Sequence, residues 1–377
     1  MKIRFHFSVV LFILATFVLS ACGGGSANQQ GGSGQSGPVQ INGAGSTFAL
    51  PIYTDWIEVY KSVDPNVIIN YQGIGSGGGK KAIIDGTVDF AGTDSLLTDS
   101  EYQAGGDLQM YPTLAGAVVP IYHISGLAAS APALVLDGPT LAGIYAAKIT
   151  KWNDPAIVAT NPDLASQLPD ASITAVHRSD GSGTTEIFTK ALSAFSSDWK
   201  NNVGSGTAVQ WPVDQAGNGV GGKGNQGVAA AVQNTPNSIG YVELSFAVAN
   251  KIPFARMVNK SGNVVTANAD SLQSAMNDFA GSFSDKLTAD IVNGGGQGSW
   301  PIAGYTYLIL HTQKMQDCQK ARAMVQFFHW ALTDPKPAQE AANLGYAVLP
   351  DKVQQQVLNK FGEIMCQGKP VLSTPTG

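Results

Sequence analysis

Charged residues are scarce in this chain. Lys and Arg number 22 and Asp and Glu number 27, which is 13% of the 377 residues and leaves a formal net charge of -5. A protein that binds nucleic acid normally carries a basic stripe, and no cluster of Lys and Arg supplies one here. The sequence therefore argues against a nucleic-acid partner, and an anion would have to be held by local groups rather than by a general positive field.

Cysteine and histidine are also few. None of the five histidines lies at metal-ligand spacing from another histidine or from a cysteine, so the sequence predicts no metal site. Besides Cys22 the chain has only Cys318 and Cys366, which could pair in an oxidising compartment. Sequence alone cannot place their Cα atoms within bonding distance, so this disulfide is left open.

One apolar run stands near the start of the chain, at residues 7–19, after Lys2 and Arg4. It is too short to span a bilayer comfortably, which favours a signal peptide over residues 1–21. The run ends in Leu-Ser-Ala-Cys, which resembles the bacterial lipoprotein signal in which the cysteine, here Cys22, receives lipid. The alternative is an ordinary secretory signal with an incidental cysteine.

The next segment, residues 22–38, consists almost entirely of Gly, Ser, Gln and Asn and cannot build a core. We expect a flexible tether that spans roughly 20 Å on average. The remaining chain is long enough for two lobes. Two apolar segments, 116–124 and 302–311, are predicted to cross between them, with lobe I formed by residues 39–115 plus 302–377 and lobe II by residues 116–301.

Strand and helix patterns alternate through the folded part of the chain. Apolar periodicity predicts strands at 39–42, 67–71, 88–92 and 171–177, and helices at 48–62, 78–85, 184–195 and 321–332. The opening βαβαβ order predicts an α/β fold with a parallel sheet.

Three segments share one local pattern, in which a strand ends, a loop rich in Gly, Ser and Thr turns, and a helix begins. They are residues 43–48, 73–79 and 178–184. The first turn of a helix presents unpaired N-H groups and the positive end of the helix dipole, so each loop is a candidate anion site. Arg178 adds a fork of donors that matches an oxyanion. For any single loop, ordinary helix capping is the alternative.

Other motifs fail on inspection. Residues 73–78 fit G-x-G-x-x-G, but no convincing ribose-binding carboxylate follows. Residues 217–223 have P-loop spacing, yet Gly224 stands where Ser or Thr must hold magnesium. Ser182 lies close to His177 and Asp180 but lacks the G-x-S-x-G frame of a hydrolase nucleophile.

The motifs G-A-G-S-T-F, Y-Q-G-I-G-S-G-G-G, D-F-A-G-T-D and H-R-S-D-G-S-G-T-T, in this order, resemble the phosphate-binding proteins of ABC transporters. The resemblance also takes in W-P-V, G-G-K-G-N-Q-G-V and S-I-G-Y-V-E, and it covers residues 41–350. It implies a two-lobe periplasmic-binding-protein fold with crossing strands and an interlobe cleft. It further implies a monomer on the outer face of the membrane that binds inorganic phosphate without cofactor or catalysis and delivers it to a permease with its ATPase.

Carried over by position, the resemblance implies a set of phosphate contacts: Thr47, Phe48 through its backbone N-H, Ser76, Asp94, Arg178, Ser182, Gly183 and Thr184. Asp180 is expected to orient Arg178. Phosphate keeps a proton near neutral pH and sulfate keeps none, so an ionised Asp94 is expected to accept a hydrogen bond from the protonated oxygen of phosphate and to reject sulfate. Ser46 and Gly79 vary small-residue positions of the pattern and are expected to matter little.

Two rival functions remain. A secreted phosphate-ester hydrolase could share an oxyanion pocket but needs a nucleophile or a metal-bound water, and no arrangement of His, Cys or carboxylates provides either. The second rival is the same scaffold tuned to another oxyanion, such as sulfate or molybdate, and Asp94 argues against it.

Overall fold

The structure is a computed structural model and describes residues 37–128 and 130–372. The predicted signal peptide, Cys22 and all but the last two residues of the predicted tether lie outside the described residues. Among the described residues, no helix has both the length and the apolar character that crossing a bilayer requires.

The strands are Val39–Gly45 (β1), Val67–Gly73 (β2), Phe90–Thr93 (β3), Leu108–His123 (β4), Val135–Asp137 (β5), Thr174–Arg178 (β6), Gly219–Gly222 (β7), Ser238–Glu243 (β8), Arg256–Val258 (β9), Val264–Val265 (β10), Ala303–His311 (β11), Ala347–Val348 (β12), Met365–Cys366 (β13) and Lys369–Pro370 (β14). The α-helices are Leu50–Tyr60 (α1), Ser76–Ile84 (α2), Asp99–Gly105 (α3), Gly138–Tyr145 (α4), Pro155–Thr160 (α5), Gly183–Phe195 (α6), Ser197–Asn202 (α7), Pro212–Gln215 (α8), Gly224–Asn234 (α9), Leu244–Ala249 (α10), Ala269–Asp278 (α11), Cys318–Thr333 (α12), Pro335–Asn343 (α13) and Asp351–Phe361 (α14).

The opening βαβαβ unit is confirmed. β1 lies between β2 and β3 and pairs with both in parallel. Gly45, the last residue of β1, is opposite Gly73 on one side and Gly92 on the other. Because parallel strands present their carboxyl ends at the same edge of a sheet, the loops that follow β1 and β2 meet there, as do the helices that follow those loops.

The main sheet has two halves joined by β4. Its path runs β2-β1-β3-β11-β4-β8-β6-β7, and β12 also pairs with β4. The first part of β4 is antiparallel to β11, with Ala117 opposite Ala303, and the last part is antiparallel to β8, from Val118 onward. One strand of 16 residues therefore belongs to both halves of the sheet.

Sequence periodicity predicted a strand only from residue 116, but β4 begins at Leu108. Only the second part of β4 was therefore located. The first part contains Pro112, which has no N-H for a ladder hydrogen bond. The structure accommodates it next to a register shift between Thr306 and Tyr307 of β11, and irregularities of this kind are where a sheet tolerates proline.

Aromatic side chains fill the core beneath the first half of the sheet. Tyr53 and Trp56 of α1 stack at 5.7 Å between ring centroids. Phe328 of α12 packs edge-on against both Tyr53 and Phe90. The first residue of α12, Cys318, forms a disulfide with Cys366 of β13, so this pair, left open by the sequence, is bonded in the structure.

Candidate functional site

Asp94 lies at the centre of the three glycine-rich loops, just after β3, and is 6% exposed. The Ser46 hydroxyl donates to Oδ1 of Asp94 at 2.6 Å, and the Ser76 hydroxyl donates to Oδ2 at 3.2 Å. Thr306, from β11, donates to Oδ1 at 2.9 Å. The carboxylate therefore accepts hydrogen bonds from the loop after β1, from the first residue of α2 and from a crossing strand.

Burial raises the pKa of Asp94 to about 6, although hydrogen bonds from Ser46 and Thr306 and the charge of Arg178 act to lower it. Desolvation disfavours the charged form of a carboxyl group, and donors favour it. Asp94 is thus ionised near neutral pH but takes up a proton in mildly acidic solution.

Arg178 ends β6 and has its side chain almost fully buried. Its Nε donates to Oδ1 of Asp180 at 2.8 Å and its Nη2 to Oδ2 at 2.6 Å, a paired fork that leaves Nη1 directed at Oγ1 of Thr184, 3.4 Å away. Burial would raise the pKa of Asp180, but the hydrogen bonds and charge of Arg178 outweigh it and hold that pKa below its usual range. Asp180 thus accepts two hydrogen bonds from the guanidinium, and its role in orienting Arg178 for a ligand stays a prediction.

The loops from the two halves of the sheet touch each other. The Gly77 amide donates to the Gly181 carbonyl at 3.0 Å. A Cβ added at Gly183 would lie 2.6 Å from both the Asp94 Cβ and the Ser76 Oγ. Glycine is therefore required at residue 183 to let the start of α6 reach the carboxylate.

Helix capping and a candidate ligand role coincide at Ser182. Its hydroxyl accepts a hydrogen bond from the Thr185 amide at 3.0 Å, and its own amide donates to the Thr207 carbonyl. The amides of Gly183 and Thr184 fall in the first turn of α6, where a helix leaves donors without an intrahelical acceptor. Capping and anion binding are compatible here, because the cap uses the hydroxyl as an acceptor and not the amides of the first turn.

Asn225, in the first turn of α9, is a site residue that the sequence reasoning missed. Its backbone amide and Nδ2 both donate to Oγ1 of Thr47, at 3.1 and 2.9 Å. Nδ2 also donates to Oγ1 of Thr184 at 3.2 Å. The signal was present, because β7, a glycine turn and α9 repeat the strand, loop and helix pattern of the other three loops.

Three further expectations need correction, and two of them concern positions that were expected to matter little. Ser46 is completely buried and bonds to Asp94, and its Oγ also accepts from the Phe48 amide at 2.9 Å. The Phe48 N-H, predicted to contact the ligand, donates within its own loop. A Cβ at Gly79 would lie 2.5 Å from the Gly45 Cα, so residue 79 has no room for a side chain.

The other predicted residues converge. Thr47, Ser76, Asp94, Arg178, Ser182, Gly183 and Thr184 are all buried and surround one region where three loops meet. The hydroxyl of Thr306 completes the surroundings of Asp94 from within β11. Nothing in the sequence marked Thr306, because it lies in an apolar run typical of a buried strand.

His177 does not join Ser182 in a catalytic arrangement. Its Nε2 contacts Oδ1 of Asp214 at 2.8 Å, and its ring stacks on Trp211 at 4.8 Å between centroids. The part of the chain that the structure describes contains no group of three or more His, Cys, Asp or Glu residues able to hold a metal ion. The groups that meet at the site are hydroxyls, backbone amides, the guanidinium of Arg178 and the carboxylates of Asp94 and Asp180.

A sequence profile described as "PBP superfamily domain" matches residues 31–335. The phosphate-binding protein PstS of Xylella fastidiosa strain Temecula1 is 38% identical over 369 residues, which cover 95% of this chain and 98% of that protein. The chain belongs to the PstS family of phosphate-binding proteins. PstS of the archaeon Methanocaldococcus jannaschii is 35% identical and covers 93% of each chain.

Solved structures of phosphate-binding proteins share the fold. A structure of the high-affinity periplasmic phosphate-binding protein PfluDING with bound phosphate superposes with a TM-score of 0.67 at 21% identity. The match covers 90% of this chain and 100% of that one. The predicted two-lobe α/β periplasmic-binding-protein fold is thereby confirmed.

Proposed function

We propose that this protein binds inorganic phosphate outside the cytoplasm and delivers it to an ABC-type phosphate import permease, without performing chemistry on it. The observation that carries the proposal is one buried carboxylate, Asp94, within a site otherwise made of donors. Arg178 and the first turns of α2 and α6 supply positive potential, and the hydroxyls of Thr47 and Thr184 supply further donors. Such a site suits a tetrahedral anion that carries a proton.

The same proposal assigns seven of the eight residues carried over from the family pattern as phosphate contacts, and it leaves out Phe48, whose N-H donates to Ser46. It also divides the chain into lobe I, residues 39–115 plus 302–377, and lobe II, residues 116–301. In support of this division, β4 and β11 are adjacent strands, and Val118 donates its amide to the Ile302 carbonyl. The chain thus enters and leaves the inserted segment at one place.

A lipid on Cys22 would hold the protein, as a monomer, on the outer face of the membrane, through the tether of residues 22–38. The Leu-Ser-Ala-Cys sequence supports this anchoring. Mass spectrometry of the protein from membranes of expressing cells tests it, because lipidation adds acyl mass to an N-terminal peptide that begins at Cys22.

Calorimetric titration with phosphate, sulfate and arsenate tests the main proposal. We expect tight binding of phosphate, weaker binding of arsenate, which has similar shape and protonation, and no heat from sulfate at neutral pH. A protein that is silent to phosphate, or that binds sulfate equally well, would refute it. The hydrolase alternative predicts steady release of chromophore from a phosphate ester, and we expect none.

A further inference from the structure

Asn225 occupies a position that no phosphate contact in the proposed function requires. It is completely buried at the second residue of α9. Its side chain lies between Thr47, in the loop after β1, and Thr184, in the first turn of α6. Asn225 therefore connects two of the three loops that form the site.

The orientation of the Asn225 amide is fixed by the backbone. The Glu243 amide, at the end of β8, donates to Oδ1 of Asn225 at 2.9 Å. If the side-chain amide were turned over, its NH₂ group would face that N-H donor with no acceptor between them. The oxygen must point at Glu243, so both hydrogens of Nδ2 point at the threonines.

These hydrogens determine what the threonine hydroxyls can do. A hydroxyl oxygen has two acceptor positions and one hydrogen to donate. Oγ1 of Thr47 accepts from the backbone amide and from Nδ2 of Asn225, so both acceptor positions are occupied. Oγ1 of Thr184 accepts from Nδ2 of Asn225 and from Nη1 of Arg178. Each hydroxyl is left with only its hydrogen to offer.

Neither threonine hydroxyl donates to a protein acceptor within residues 37–128 and 130–372. A buried donor without an acceptor is costly, and here two of them lie in the same site. An anion with several lone pairs satisfies both. The arrangement separates the site into groups that only donate, Thr47 and Thr184, and one group, Asp94, that accepts.

We propose that Asn225 is a positioning residue that holds the Thr47 and Thr184 hydroxyls as donors toward the bound anion, and so helps to set both affinity and the polarity of the site. This inference rests on the proposed phosphate function. It gives Asn225 a role through two other side chains and requires no direct contact between Asn225 and phosphate.

The Asn225→Asp variant tests this role, because it keeps the shape and reverses the hydrogen bonding. One carboxylate oxygen still accepts from the Glu243 amide, while the other accepts from the threonine hydroxyls and turns their hydrogens away from the ligand. We expect the Kd for phosphate, measured by calorimetry, to rise about 100-fold. Asn234→Asp is the matched control, since it makes the same change on an exposed residue of the same helix, and we expect its Kd to stay within about twofold of the wild-type value.

A double-mutant cycle separates positioning from a general structural effect. In a Thr47→Val/Thr184→Val background, which has no hydroxyls to orient, we expect Asn225→Asp to weaken phosphate binding by less than about fivefold. The proposal is overturned if Asn225→Asp binds phosphate as the wild type does, or if its loss is equally large with and without the threonines.

Two controls, phosphate binding by the wild type and cooperative unfolding of Asn225→Asp, show whether the cycle can be interpreted. A wild-type protein that does not bind phosphate refutes the proposed function itself. If Asn225→Asp shows no cooperative unfolding transition, Asn225→Ala takes its place in the cycle. We then expect a loss of about tenfold that shrinks in the Val/Val background, and an undiminished loss would overturn the proposal.

Discussion

At the scale of single residues, the site depends on a carboxylate placed among donors. Asp94 is buried and accepts from Ser46, Ser76 and Thr306, and the guanidinium of Arg178 favours its ionised form. An ionised Asp94 offers an acceptor to a ligand that carries a proton and repels one that carries none. In the proposed function, selectivity between phosphate and sulfate therefore depends on the one proton that phosphate carries.

We expect Asp94→Asn to weaken the discrimination against sulfate, because an amide removes the like charge and adds a donor that sulfate can use. Sulfate should then bind to the variant at neutral pH, where we expect no binding to the wild type. The gain in sulfate binding free energy should be several kcal/mol at most. Competition calorimetry with both anions measures the ratio.

The pH dependence of sulfate binding provides the control. Since the pKa of Asp94 is about 6, the wild-type carboxyl gains its proton as the pH falls below 6 and becomes able to donate to sulfate. Sulfate affinity of the wild type should rise between pH 7 and pH 5, and that of Asp94→Asn should change little. Parallel profiles for the two proteins would exclude Asp94 as the selectivity group.

A second buried acid, Glu243, makes the free energy of unfolding depend on pH. It is completely buried, and its Oε1 has no hydrogen-bond partner among the described residues. Burial raises its pKa to about 8, although hydrogen bonds from Ser245 lower it. Because the folded-state pKa lies above the unfolded value, the folded protein prefers neutral Glu243. The resulting stability is fully present below the ordinary glutamate pKa of 4.5 and is lost as the pH rises through 8.

We therefore expect Glu243→Gln to remove this pH dependence. Between pH 6 and pH 9 the free energy of unfolding of the wild type should fall by a few kcal/mol, at about 1.4 kcal/mol per pH unit up to the pKa of Glu243. The free energy of unfolding of the Gln variant should not show this fall. Urea unfolding at several pH values gives the difference. Glu58→Gln, at a residue with an exposed side chain, should follow the wild type. The role of Glu243 is ruled out if both variants do so.

At the scale of secondary-structure elements, α2 lies unusually close to the sheet. Besides the contact with the Gly45 Cα, a Cβ at Gly79 would lie 2.9 Å from the Ala44 carbonyl oxygen. Backbone cannot move aside as the end of a flexible side chain can. We expect Gly79→Ala to lower the free energy of unfolding by ~1–3 kcal/mol and to weaken phosphate binding by displacing the Ser76 end of the helix.

Gly78→Ala is the control for this prediction, since the nearest atoms to the added methyl group belong to the side chain of Ile74, at 3.1 Å and beyond. Alanine is a better helix former than glycine by ~0.5–1 kcal/mol, so this variant should be neutral or slightly more stable. Equal denaturation midpoints for the two variants would contradict the close packing of α2.

The same elements indicate what sequence reasoning could and could not provide. Strong apolar periodicity located β1, β2 and α6 to within a few residues, and the shared strand, loop and helix pattern marked three loops that the structure brings together. The start of β4 was missed because Pro112 interrupts its pattern. Thr306 was missed because a single polar residue in a buried strand shows no sign of its partner, Asp94, which lies more than 200 residues away. Asn225 lies in the G-G-K-G-N-Q-G-V motif that contributes to the family resemblance, but the sequence reasoning assigned no contact to it.

At the scale of the whole molecule, the disulfide fixes the C-terminal segment to the core. Cys318 and Cys366 are 48 residues apart, and closing a loop of that length restricts the unfolded chain. In the chain-entropy view this contributes about 4 kcal/mol. Because Phe328 of α12 packs against Phe90 and Tyr53 in the core, we expect phosphate affinity not to depend on the bond.

We expect the Cys318→Ser/Cys366→Ser variant to unfold at a lower denaturant concentration than the oxidised wild type and to bind phosphate equally well. Wild type treated with a reductant should match the variant, which controls for the substitutions themselves. An unchanged midpoint in both would mean that the disulfide adds no stability, and a changed affinity would mean that α12 is coupled to the site.

The 16 residues of β4 also determine how the molecule can deform. Any rotation of one half of the sheet against the other has to pass through a strand that is hydrogen-bonded to β11 in its first part and to β8 in its last. Such a strand yields by small changes of twist spread along its length and not by free swivelling at one joint. The strand therefore resists twisting along its whole length. The torsional stiffness of β4 near Ala117 and Val118 would determine how readily the cleft opens, without altering which anion fits inside.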